Sequence, residues 1–154
     1  MQLGYIDIDA RGAETPLLAV AVTEEDVAAG TLAALGDELP GPVRRIFESG
    51  EMRGRGGDEV VWHREDDAPA RVLLLGVGAR ADLDAEGVRR MAGRAVRAAE
   101  RLRLERLTVG LDGLEALPAA VVAQAAAEGA SLAAWRFSEL KAPSEENPDV
   151  TVRQ

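Results

Sequence analysis

The sequence predicts an α/β sandwich in which at least part of the sheet is parallel. Three observations carry this. Leu17 to Val22 and Val72 to Leu75 are unbroken apolar runs with sharp borders, the pattern of strands inside a core rather than at a wet surface. From residue 71 onward the pattern alternates strand, helix, strand, helix, which pairs successive strands in parallel through helical crossovers. The 154 residues are 47% apolar and 29% charged, the size and balance of one globular domain with room for a core.

The elements follow in order. Leu3 to Asp9 reads as a short strand around Tyr5, Ile6 and Ile8, broken at Arg11-Gly12. The run Leu17 to Val22 lies between Pro16 and Thr23-Glu24-Glu25 and is a buried strand. A helical piece near Leu32 to Leu39 stops at Pro40-Gly41-Pro42, and a second one places Val43, Ile46 and Phe47 on one side before Ser49-Gly50. Met52 to Gly57 is punctuated by glycine and predicts a loop or strand edge; Glu59 to His63 predicts a strand and Arg64 to Pro69 a polar turn. Arg71 to Val77 is the second buried strand, ended by Gly76 and Gly78. Asp84 suits the N-cap of a long helix with Glu86 in its first turn, where a carboxylate meets free N–H groups and the positive end of the helix dipole. Val88, Met91, Ala92, Ala95, Ala99 and Leu102 then form the core stripe of that helix, and Arg89, Arg90, Arg94, Arg97 and Arg101 its other face. Leu107 to Leu111 predicts a third buried strand and Asp112-Gly113 a turn. Pro118 suits the first turn of a last helix running to about Ala134. From Lys141 the chain turns polar and proline-bearing, which reads as a linker.

Composition narrows the function. Without cysteine there is no disulfide framework and no thiolate zinc site. No run of about 18 apolar residues is present to span a membrane. Met1 to Ala10 lacks the basic start of a secretion signal, so a cytoplasmic protein is expected. The net charge of −9 repels phosphate backbones, and 3% aromatic residues leave little for base stacking, so nucleic acid is an unlikely partner. Seventeen of the 18 basic residues are arginine in an alanine-rich chain, which reflects GC-rich coding rather than a binding surface.

Candidate chemistry is sparse. Gly76-Val77-Gly78-Ala79-Arg80-Ala81 has the G-x-G-x-x-A spacing of an anion loop after a strand, with Gly76 and Gly78 as the candidate binding residues. Asp82 and Asp84 stand where a phosphate would sit, so the same segment also reads as a structural turn. Asp7 to Gly12 and Asp82 to Gly87 resemble the front of a calcium loop, but loop position twelve is Leu18 in one and Gly93 in the other instead of glutamate. His63 is the single histidine, too few for a two-histidine metal site, and reads as solvated. Ser49, Ser131, Ser138 and Ser144 lie in no nucleophile elbow. The acidic clusters Glu24-Glu25-Asp26 and Glu65-Asp66-Asp67 read as solvated turns; the arginine face of the long helix reads as solvent-facing, with an acidic partner as its alternative. No catalytic and no metal-binding residue is assigned.

Three segments carry a resemblance. Ser49-Gly50-Glu51-Met52-Arg53-Gly54-Arg55-Gly56-Gly57-Asp58-Glu59, the strand and turn Arg71 to Leu83, and Ala127-Glu128-Gly129-Ala130 through Trp135-Arg136-Phe137 are similar, in this order and spacing, to segments of leucyl aminopeptidase (cytosol aminopeptidase) N-terminal domains. Met52 stands where that family often has an aromatic residue, and Arg55 where it often has lysine. The resemblance covers nearly the whole chain and implies a macro-domain-like three-layer sandwich: a mixed, mostly parallel sheet with helices on both faces, residues 1–140, followed by a link, residues 141–154. It implies a non-catalytic domain serving assembly, substrate access or regulation of a metallo-exopeptidase. That enzyme's catalytic domain, holding two divalent metals (zinc or manganese), would be this chain's partner together with further copies in a homo-oligomer. The alternative is a free-standing macro-domain-like module that binds a nucleotide-like or other anionic ligand.

Overall fold

The structure, a computed structural model, describes residues 1–6, 12–65 and 69–135. Among these residues four strands form one mixed sheet in the order β2-β3-β1-β4: β1 (Leu18–Thr23), β2 (Glu59–His63), β3 (Arg71–Gly78) and β4 (Thr108–Val109). The centre is the parallel pair β1 and β3, with Leu18 beside Val72 and Ala21 beside Leu75. β4 continues the parallel direction beyond β1, and β2 closes the other side antiparallel to β3.

Side chains alternate along a strand, so a continuous apolar run feeds both faces of its sheet. Leu17, Ala19 and Ala21 join Leu73 and Leu75 in one core, and Leu18, Val20 and Val22 join Val72 and Leu74 in a second. The first core is completed by α3 (Ala85–Arg101) and α4 (Ala119–Ala134) through Val88, Met91, Ala95, Val122 and Ala126. The second is completed by Val43 and Phe47 of α2 (Gly41–Ser49), by Leu32 and Leu39, and by Met52, which is wholly buried. A short helix α1 (Glu24–Ala29) follows β1 directly. The Asp84 carboxylate caps α3 by accepting from the Gly87 N–H at 2.7 Å.

Three expectations change. Leu3 to Ile6 form no strand; Tyr5 and Ile6 are 78% and 64% exposed, and no strand among the described residues pairs with them to offset the entropy of ordering. Residues 7–9 of that run lie outside the described residues. The strand expected over Leu107 to Leu111 is reduced to the two half-buried residues Thr108 and Val109 at the sheet edge, where the Thr108 N–H donates to the Leu17 carbonyl and the Gly110 N–H to the Ala19 carbonyl. The helical piece near Leu32 to Leu39 is a single 3-10 turn, Ala33–Leu35. The tail beyond Trp135, including the proposed link, lies outside the described residues.

Candidate functional site

In open α/β sheets a ligand crevice forms beyond the carboxyl ends of two neighbouring parallel strands whose following helices leave toward opposite faces. β1 and β3 are such a pair: Val27 of α1 packs in the second core, whereas α3 packs in the first. This chain fills that place with its own charges. Thr23 caps α1 through its hydroxyl, and Asp26 accepts in return from the Thr23 N–H at 2.8 Å and the Thr23 hydroxyl at 2.7 Å. The other oxygen of Asp26 takes the Arg80 guanidinium at 2.8 Å, and the Arg80 N–H donates to the Glu25 carboxylate at 2.9 Å. Glu24 and Glu25 are exposed as expected, but Asp26 is buried: it is not a solvated acid but part of a capping box tied to the end of β3. The hydrogen bond from the Arg80 N–H, chiefly, holds the Glu25 carboxyl below the usual carboxylate range. A depressed carboxyl stabilises the fold above its unfolded pKa, and that contribution disappears as pH falls through the folded value. The stability difference between the native chain and Glu25→Gln should therefore be largest near neutral pH and close on acidification below about pH 4, read as urea midpoints across pH. A gap that stays constant would show that Glu25 contributes no charged interaction.

Beside this plug, the segment 50–58 is sewn onto the strand ends. The Asp58 carboxylate gathers the N–H groups of Arg53 (2.9 Å) and Arg55 (3.2 Å), closing the loop on itself. The Gly76 N–H donates to the Asp58 carbonyl (2.9 Å) and the Gly78 N–H to the Gly54 carbonyl (2.7 Å). The two candidate anion-binding glycines thus have their N–H groups engaged by the chain, and a Cβ added at Gly76 would fall on the Arg55 carbonyl oxygen. Arg94 reaches in from α3, donating to the carbonyls of Gly76 (2.8 Å) and Asp58. Desolvation lowers the Arg94 pKa, against the pull of Glu59 and Asp58. An open hollow of about 380 Å3 lies outside Gly76, with Arg90 and Arg94 as its charged lining.

The third segment works between helices. Glu128 accepts from Arg89 at 2.6 Å and from Gln124 at 2.8 Å. At Gly129 the α4 backbone rests against that of Arg89, and a Cβ there would fall on the Arg89 carbonyl. The arginine face of α3 is therefore not simply solvent-facing: Arg89, Arg94 and Arg101 are held by Glu128, by backbone carbonyls and by Glu59, and Arg90 and Arg97 point outward.

Sequence reasoning missed Asp58, Arg94 and Gly54. Their signal was present in the density of glycine around one acid, but what those residues touch is remote in sequence. His63 ends β2, exposed and opposite Arg71. Ser49 donates to the Ile46 carbonyl at a helix end, and Ser131 lies exposed on α4. Ser138 and Ser144, most of the Asp7 to Gly12 segment, and Asp66 and Asp67 lie outside the described residues. Of the second calcium-like segment, Asp84 is a helix cap. Among the described residues no three acidic or histidine side chains come together as a metal site would need, and no helix is long and apolar enough to cross a membrane.

The profile of the cytosol aminopeptidase family, N-terminal domain, matches residues 19–144. A probable cytosol aminopeptidase of Thermosynechococcus vestitus is 36% identical over 124 residues, covering 76% of this chain and 24% of that protein. One of Rippkaea orientalis is 31% identical over 149 residues, covering 91% of this chain and 30% of that protein. The chain thus spans less than a third of the length of these relatives. Among solved structures, a mutant leucine aminopeptidase of tomato superposes with a TM-score of 0.67 at 21% identity, covering 87% of this chain and 28% of its own. The bottromycin maturation enzyme BotP, in complex with Mn, superposes with a TM-score of 0.59 at 27% identity, covering 83% and 25%.

Proposed function

The chain belongs to the cytosol aminopeptidase family as an N-terminal domain, and on that premise we propose that it is the non-catalytic part of a leucyl-aminopeptidase-like metallo-exopeptidase, serving assembly, substrate access or regulation. One observation carries the non-catalytic reading. The segments that bear the family resemblance are taken up in packing: 50–58 on the ends of β1 and β3, and 127–130 on α3. The place where an α/β sheet would take a ligand is filled by the Asp26–Arg80 pair. For Gly76 and Gly78 this favours a structural part, close approach and backbone pairing, over an anion loop.

The finer reading follows from the same premise. Residues 1–140 form a macro-domain-like three-layer sandwich, and residues 141–154 lead toward the catalytic domain. That domain holds two divalent metals, zinc or manganese, and the parent enzyme is a cytoplasmic homo-oligomer. The residues described here do not fit a two-metal centre, which needs several ligands fixed around ions about 3.5–4 Å apart. Nucleic acid is not a partner in this reading: the charge is −9, and three of the five arginines on α3 are already engaged by other groups of the chain.

The purified chain is expected to release no ammonia from leucine amide with manganese or zinc present, and to retain no stoichiometric metal after gel filtration. Turnover that co-purifies with the chain and survives stringent washing would overturn the reading.

A further inference from the structure

α4 is unlike the other surface helices of this chain. α1 turns Glu24 and Glu25 to solvent, α2 turns Arg44, Arg45 and Glu48, and α3 turns Glu86, Arg90, Arg97 and Glu100. The sixteen residues of α4 carry one charge, Glu128, and that carboxylate already accepts from Arg89 and Gln124. The inward side, with Val122, Ala125, Ala126 and Ala130, belongs to the core. The outward side shows Ala120, Gln124, Ala127 and Ser131 to solvent, with no charge among them. Along its border Val121 is 38% exposed and Leu132 71%, and Trp135, just past the helix end, is 68% exposed. Leu132 lies eleven residues, about three turns or 16 Å, along the same side from Val121, and Trp135 nearly one turn further. A helix in water keeps a polar outer face, and one that is apolar almost all round is a helix covered on both sides.

We propose that the outer face of α4 is the surface on which the catalytic domain of the same protein docks, an inference that rests on the reading of the chain as an N-terminal domain. Three features choose this occupant. The relatives of this chain are more than three times its matched length, so a large body of protein accompanies this domain in them. α4 is the last element among the described residues, and its most exposed apolar residue, Leu132, is near its C-terminal end, the side on which an N-terminal domain of this family leads to the rest of its protein. A second copy of this chain would bring another −9 charge to the rim of the contact, where like charge opposes association, whereas the face itself is neutral and asks for a neutral apolar counterpart. Ala120 and Ala127 on the outward side are small enough to let a partner approach the α4 backbone closely, and the exposed Leu132 offers apolar area for it to cover.

The test compares Ala127→Glu/Leu132→Glu with the native sequence in two settings. Glutamate suits a helix, and both positions are exposed, so the 154-residue chain should stay monomeric in sedimentation with its thermal midpoint nearly unchanged. The second setting joins the chain to the catalytic portion of the Thermosynechococcus vestitus relative, in place of the segment it matches. There the double substitution is expected to lower leucine-amide turnover at least tenfold and to shift the protein to smaller assemblies, and Leu132→Met is expected to retain both. A joined protein that is active and assembled with or without the substitutions overturns the surface and leaves the domain reading standing. A joined protein that neither assembles nor turns over even with the native face overturns both. Self-association of the 154-residue chain that Leu132→Glu abolishes assigns the face to a second copy and overturns the proposal.

Discussion

Gly129→Ala should destabilise the chain by about 2–4 kcal/mol, the reverse of what helix propensity alone would give. In an exposed helix interior the same change stabilises by about 1 kcal/mol, because glycine loses more backbone entropy on folding. At Gly129 the added Cβ would sit on the backbone of Arg89, on its carbonyl oxygen, carbonyl carbon and Cα, none of which can swing aside as a side chain does. α4 must move away from α3, which opens the contact made by Val122, Ala125, Ala126 and Ala130 and pulls Glu128 from Arg89. Overpacking of this kind costs about 1–3 kcal/mol on its own, and the lost contacts add to it. Against a total stability of about 5–15 kcal/mol this is a large share. Urea unfolding followed by circular dichroism measures it; a midpoint equal to or above that of the native chain would show that the two helices separate without cost. The neighbouring contact at Gly93 is looser, 3.4 Å from the Gly129 carbonyl, so Gly93→Ala should cost clearly less.

The second large effect is expected at the loop that joins the strand ends. Gly54 has φ +77, a conformation that alanine adopts at a cost of about 1 kcal/mol, and its Cβ would fall on the Thr23 carbonyl at the start of α1. Gly54→Ala therefore strains the residue, pushes the loop off β1 and endangers the Gly78 N–H bond to the Gly54 carbonyl, for a loss of about 3 kcal/mol. Two neighbours separate strain from collision. Gly57 has φ +109 but open space around its Cβ, so Gly57→Ala shows strain alone, about 1–2 kcal/mol. Gly56 has open space and no such φ, so Gly56→Ala should be neutral or slightly stabilising. The order Gly54, Gly57, Gly56 in thermal midpoints is the expected result. Equal effects at all three would mean that the loop is not held against β1.

The parts of this fold legible in the sequence are those set by contacts within one element. The strand Glu59–His63, the continuous run that became β1, the Asp84 cap and the stripe of α3 were readable because side-chain period and capping chemistry act over a few residues. The third strand was overestimated for a related reason. Leu107 to Leu111 has the composition of a buried strand, but it pairs with β1 only at Leu18 and Ala19 although β1 runs on to Thr23, so the length of the pairing is set by where the two segments part rather than by propensity. Of the acids Glu24-Glu25-Asp26, the first two are exposed as expected; Asp26 was misread as solvated because its partner Arg80 is more than fifty residues away.

By itself the sequence determined the class, the order of most elements, the absence of thiolate chemistry and, through three motifs, the family. It also held the odd composition of α4, whose meaning appears only once one side is seen to be covered and the other bare. The tertiary structure decided what the motif residues do. Gly54, Gly76 and Gly129 have no room for a Cβ because another backbone lies against each, and the Arg94 guanidinium donates to two carbonyls that meet in front of it. Both facts depend on atoms brought together by packing between distant segments, and no local pattern in the chain encodes a distance of that kind.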